Sequence, residues 1–384
     1  DHRDLHLSLR RQRQMCIRDR IDWIHKSERF YEKLATPDVT VSDLIGDIDP
    51  IKATNLKLSY SDEEVIHFGL IPRAHRCIFV LNELPDLQPR IQVSLFSILE
   101  EKEIQIRGFK VRLPLDIQFI FTSNPEDYTN RGSIVTPLKD RIGSQILTHY
   151  PESVDIAKTI TNQESKLNSE TISKIHIPEI ARDIIEQVSF EARESDLVDK
   201  KSGVSARMSI TSLQNLISSA ERRMLINKEE ITSIRMSDFN SVISSINGKV
   251  ELVYEGEEEG AEQVSYNLIS DAVKTLFTKY FPKIEKLTKP DEISVYDSIL
   301  EWFTVNQVIL RDDLSNKDYE SILNKVKDAD SLLNKFVPDI DKKDKLFFIE
   351  FLLWGLESFN KLTIMRTNNG VEFKDPFNNF INKI

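Results

Sequence analysis

The run CIFVLNE at residues 77–83 constrains the fold more than any other stretch. An uninterrupted apolar segment of five residues, bounded by polar chain on both sides, reads as a short strand covered on both faces, the pattern of parallel sheets. It ends in Asn82 and Glu83, followed by a turn at Pro85. Downstream, Ile91, Leu95, Ile98 and Leu99 recur at helical spacing in QPRIQVSLFSILEE, which predicts an amphipathic helix. EIQIRGFKVRL alternates on either side of Gly108, as in a hairpin, and IQFIFTSNPED is a second apolar strand ending at Asn124-Pro125. If both strands lie in one parallel sheet, their polar ends meet at its carboxyl edge, where open α/β sheets bind ligands.

Composition removes several classes of function. The chain has 384 residues, enough for two or three domains, and a net charge of -11. That balance argues against a protein that grips nucleic acid mainly by electrostatics, because phosphate neutralisation needs a basic face. Its two cysteines, Cys16 and Cys77, match neither a disulfide scaffold nor a zinc site, and they fit a reducing, cytoplasmic setting. No apolar run approaches the roughly 18 residues of a spanning helix. The segment MCIRDR within residues 1–20 reads as a translated transposase adapter from a sequencing library, and this is expected rather than a basic arm.

Along the chain, residues 21–155 have the character of the later part of an α/β domain. Residues 156–250 predict a small helical domain: Ile180, Ile184 and Val188 share one helical face, SITSLQNLISSAERRMLI supplies a second helix and RMSDFNSVISSI a third. Residues 251–262, rich in glutamate, read as a solvated linker or loop. Residues 263–384 are again helical in pattern, and the aromatic clusters of KTLFTKYF and KDKLFFIEFLLWGLESF suit a core or a subunit contact. Asp47 and Asp49, alternating with Ile45 and Ile48, read as exposed turn residues, and His67 and His75 lack a third ligand for a metal.

Glu83 is the leading chemical candidate. A carboxylate at the polar end of a buried strand can polarise a water for attack on a phosphoryl group. Asn124, at the end of the second strand, can orient the same water.

Taken in order, KLATPDVTVSDLIGDIDPIKA, IHFGLIPRAHR, NELPDL, IQVSLFSILEE, TSNPEDYTNRG and TPLKDRIG resemble the AAA+ ATPases of the magnesium chelatase ATPase-subunit and MoxR-like branch, over residues 21 to about 230. The resemblance implies an incomplete AAA+ P-loop NTPase core followed by a helical lid, with an additional mainly helical C-terminal domain. It makes CIFVLNE the Walker B strand, Glu83 the water-activating residue and TSN the sensor 1 segment with Asn124. Asn82 occupies the place usually held by an aspartate that orders the water shell of Mg2+; it keeps an acceptor oxygen but brings no charge. Arg141 in TPLKDRIG is marked as the arginine finger, with Arg131 in TNRG as the competing candidate, and Arg207 in GVSARMSI as the sensor 2 residue of the lid.

The phosphate loop G-x-x-x-x-G-K-S/T occurs nowhere in the 384 residues. Family members carry it upstream of the position of Ile21, so truncation is the expected reason. The resemblance implies ATP and Mg2+ as ligands, a hexameric ring, a partner bearing a von Willebrand factor A domain, and remodelling or maturation of a protein client in the cytoplasm. Competing expectations are a non-hydrolytic nucleotide-sensing scaffold, favoured by Asn82, and a C-terminal adaptor. Nucleic-acid remodelling ranks below these on charge.

Overall fold

The computed structural model describes residues 24–59, 62–106, 112–124, 133–200, 202–284, 294–367 and 370–376. The adapter-like segment 1–20 and Arg131 lie outside the described residues. The chain divides into two compact units, Asp1–Leu147 and Thr148–Ile384.

The first unit is built on a parallel sheet of three strands in the order β1-β4-β7, where β1 is Phe30–Leu34, β4 is Ile78–Asn82 and β7 is Gln118–Phe121. Leu34 pairs with Asn82, and Leu81 with Phe121, so the three strands end level with one another. Phe79 and Leu81 point into the core, where Ile91, Leu95 and Ile98 of the following helical segment meet them. The opposite face differs from the expected two-sided cover. Phe30 is 47% exposed, Leu34 52%, Ile78 40% and Ile120 44% on this face, while Val80 among them is buried, so the second face is covered only in part.

Two further pairs of short antiparallel strands complete this unit. β2 (Gly46–Ile48) pairs with β3 (Ile66–Phe68), and β5 (Glu103–Gln105) with β6 (Arg112–Pro114). The second pair is the hairpin expected around Gly108, whose tip lies outside the described residues. Gly46 has φ +120°, and a Cβ there would sit 2.3 Å from the His67 carbonyl oxygen, so only glycine fits. Asp49 caps the Pro50–Leu56 helix by accepting from the Ile51 and Lys52 amides, and Asp47 accepts from Ser42, so both have structural partners. The single helix expected after Pro85 is two helices, Pro89–Ser94 and Phe96–Glu101, because the Leu95 amide bonds three residues back to Gln92 and tightens the turn.

The second unit contains the predicted helices at Glu179–Glu194 and Arg207–Ile226. The third predicted helix is a 3-10 segment, Met236–Val242, running into the short helix Ile243–Asn247. A minimal parallel pair, β8 (Ile175–His176) with β9 (Thr232–Ser233), ties the helical region together. The acidic stretch expected as a linker holds the helix Tyr254–Glu259. Its glutamates are exposed, while Gly256 is buried so closely that a Cβ would lie 2.6 Å from the Leu197 carbonyl oxygen.

The C-terminal region is not purely helical. β10 (Val308–Arg311), β11 (Thr363–Thr367) and β12 (Gly370–Lys374) form an antiparallel sheet in the order β10-β12-β11. Its residues join the helices in one hydrophobic core that runs from Ile175 to Phe373. The helix Lys345–Ser358 is buried nearly all round, which explains why its sequence carries no amphipathic period. No helix among the described residues is long and apolar enough to cross a membrane. A buried polar cluster crosses the core: Glu350 accepts from the Met236 and Ser237 amides and from the Tyr319 hydroxyl, and Arg223 pairs with Asp238.

Candidate functional site

The carboxyl edge of β1-β4-β7 gathers several polar side chains within a few residues. Asn82 closes β4, and its backbone carbonyl accepts from the Ala35 amide 2.8 Å away, which locks the ends of β1 and β4 together. The Thr122 amide donates to the Leu81 carbonyl at 3.1 Å, and the Leu84 amide to the Thr122 carbonyl at 2.9 Å. The ladder therefore continues one residue past each strand before the chain turns away. At that turn Glu83 adopts φ 56° and ψ 51°, a left-handed conformation unusual for a residue with a Cβ. The half-buried Glu83 thereby starts the 3-10 turn Leu84–Asp86 directly beyond the strand.

Side chains join this edge across strands. The Asn82 amide nitrogen donates to a Glu32 carboxylate oxygen, and Thr122 Oγ1 donates to Asn82 Oδ1 at 3.1 Å. The Glu83 amide in turn donates to Thr122 Oγ1 at 3.2 Å. Asn124 lies two residues beyond Thr122, exposed at the same end of β7. Asn82, Glu83 and Asn124 are thus brought to one edge. Glu32 and Thr122 were not singled out from sequence. Thr122 stands in the quoted TSN, but a glutamate in the middle of FYEKL gives no signal until β1 is known to lie beside β4.

Arg141 sits in the last turn of the Thr136–Arg141 helix. Its guanidinium forms a salt bridge with Glu100 at 2.6 Å, donates to the Pro137 carbonyl at 2.9 Å and lies 4.9 Å from the Phe96 ring centroid. A buried glutamine, also missed in the sequence, anchors the approach to this helix. Gln92 accepts from the Val135 amide at 2.9 Å and donates to the Leu87 and Ser133 carbonyls. Arg207 opens the Arg207–Ile226 helix of the second unit as an exposed residue.

Among the described residues no group of three or more His, Cys, Asp or Glu side chains forms a metal cage. Mg2+ characteristically takes one or two protein oxygen ligands together with waters and substrate phosphates. The Glu83 carboxylate and the Asn82 side-chain oxygen, side by side at this edge, would fit that pattern, with waters and nucleotide phosphates completing the set.

Residues 17–142 match the family model of the AAA domain (dynein-related subfamily). The match begins inside the segment expected to be adapter-derived and ends just beyond Arg141. No curated protein matches the chain. Among solved structures, NtrX from Brucella abortus is 13% identical, with 65% of this chain and 53% of that chain covered and a TM-score of 0.36. The same protein in complex with ATP is 16% identical, over 50% of this chain and 39% of that one, at a TM-score of 0.31. A complex of the magnesium chelatase subunits BchI and BchD is 17% identical, over 60% and 72%, at a TM-score of 0.28. The parallel sheet and its polar carboxyl edge lie inside the matched span: this part of the chain has the α/β fold of an AAA+ domain, followed by a mainly helical C-terminal part.

Proposed function

We propose that the chain belongs to an AAA+ ATPase of the magnesium chelatase and MoxR-like branch, a motor that uses ATP to remodel or mature a protein client. The observation that carries this reading is the placement of Asn82-Glu83 and Asn124 on one carboxyl edge of a parallel sheet within an AAA-type segment. Mg2+ bound with ATP would neutralise charge on the phosphates. Glu83 accepts a proton from the attacking water, and Asn124 orients that water toward the γ-phosphate.

Arg141 acts on nucleotide held by a neighbouring subunit, and Arg207 reports from the lid. A site shared in this way requires a ring, for which six subunits and a partner with a von Willebrand factor A domain are the expected assembly. The two cysteines, in neither a disulfide-scaffold nor a zinc spacing, fit a cytoplasmic setting. Asn82 favours one alternative, a nucleotide-sensing scaffold with weak or absent turnover.

Sequencing the source gene through its 5′ boundary, then assaying the protein it encodes, tests the proposal. The expected result is an in-frame G-x-x-x-x-G-K-S/T ahead of Ile21 and Mg2+-dependent ATP turnover. A native frame without a phosphate loop overturns it. ATP binding without turnover establishes the scaffold instead.

A further inference from the structure

Asn82 stands where a carboxylate would face another carboxylate. Glu32 of β1, Asn82 of β4 and Thr122, one residue past the end of β7, fall on the same face of the sheet when the registers of β1 on β4 and of β4 on β7 are followed. Their hydrogen bonds run in one direction. The Glu83 amide donates to Thr122 Oγ1, Thr122 Oγ1 donates to Asn82 Oδ1, and Asn82 Nδ2 donates to Glu32. Each middle member is donor on one side and acceptor on the other, which fixes how the Asn82 amide is turned. An aspartate at position 82 would break this order. It has no proton to give Glu32, and two adjacent carboxylates cannot both hold their charge cheaply.

We propose that Glu32 is a positioning residue of this edge: it supplies, one strand over, the negative charge that residue 82 lacks, and it sets the Asn82 amide that holds Thr122 and the Glu83 backbone. Position 82 then carries an amide because position 32 carries the acid. Its consequence for turnover rests on the reading of Glu83 as the water-activating group, whereas the Glu32–Asn82 exchange itself does not.

The test uses the protein encoded by the source gene, carrying Glu32→Gln, Asn82→Asp or both. In urea unfolding, Asn82→Asp lowers the midpoint clearly and Glu32→Gln slightly. The double variant, in which donor and acceptor have changed places, returns to near the parent value. In protein labelled with 15N-asparagine, Glu32→Gln shifts the Asn82 side-chain amide resonances. In the turnover assay, Glu32→Gln raises the Mg2+ concentration for half-maximal rate by about tenfold, about 1.4 kcal/mol of coupling, and the double variant regains most of the loss. Additive losses of stability with an unmoved Asn82 resonance overturn the positioning role even if ATP is hydrolysed. Exchange coupling in a protein without turnover keeps the positioning role and overturns the ATPase reading.

Discussion

Glu83 holds its carboxylate on a backbone that its residue type disfavours. A left-handed conformation costs a non-glycine residue roughly 1–2 kcal/mol, and glycine gives back about 0.4–1 of that through its freer unfolded chain. Glu83→Gly is therefore expected to stabilise the first unit by about 0.5–1 kcal/mol in urea unfolding while abolishing turnover. Strain relieved by loss of the functional group would place the turn among conformations kept for chemistry. Glu83→Gln separates the carboxylate from the backbone: turnover should fall by at least about a hundredfold with ATP affinity kept, the pattern of a lost general base. Equal loss of affinity and rate would instead assign Glu83 to binding.

The short elements around Arg141 are held by contacts of unequal worth. The Arg141–Glu100 pair is open to solvent, with side chains 27% and 62% exposed, so it contributes no more than about 1 kcal/mol. Arg141→Ala should accordingly leave the unfolding midpoint almost unchanged yet reduce turnover by about a thousandfold if the arginine serves a neighbouring site. A variant with normal turnover would leave Arg141 as a surface ion-pair residue. Gln92, by contrast, is fully buried and satisfies Val135 and two carbonyls, so Gln92→Ala strands polar groups. In the second unit, Gly355 lies against Phe277, where a Cβ would come within 2.0 Å of the ring. Gly355→Ala should cost about 1–3 kcal/mol through overpacking between the helices Ala261–Tyr280 and Lys345–Ser358, measurable by thermal unfolding.

On the scale of the molecule, the region expected as a lid and the region expected as a separate C-terminal domain share one core. Ile184, Leu213 and Phe239 belong to the same apolar cluster as Phe277, Phe351 and Phe373, and Glu350 caps the segment at Met236 from the far end of the sequence. Deleting residues 263–384 should therefore cost the remaining helices their cooperative unfolding rather than release an intact lid, as circular dichroism during urea titration would show. A truncated protein that melts cooperatively would contradict this. Burial also pushes the Glu186 carboxyl above the usual range, opposed by hydrogen bonds from Thr161 and Ser209. Such a group binds more protons folded than unfolded, so its contribution to stability declines as pH rises from the ordinary carboxylate value through its shifted one. Glu186→Gln should gain stability relative to the parent across that rise, read from unfolding midpoints at mildly acidic and neutral pH.

What the sequence determined by itself was local and periodic. CIFVL and IQFIF ended as parallel neighbours with their polar termini level, and the spacing of Ile180, Ile184 and Val188 marked the buried face of a helix, because period and turn chemistry act between residues close in the chain. The family resemblance, not periodicity, assigned roles to Asn82, Arg141 and Arg207. Tertiary structure alone decided what depends on partners distant in sequence: the Glu32 carboxylate beside Asn82 fifty residues away, the Gln92 bridge to Val135, the Glu350 cap at Met236 and the sheet β10-β12-β11. In each of these, a polar group or strand edge gains its meaning from the one across from it, and pairing of that kind leaves no period in the sequence.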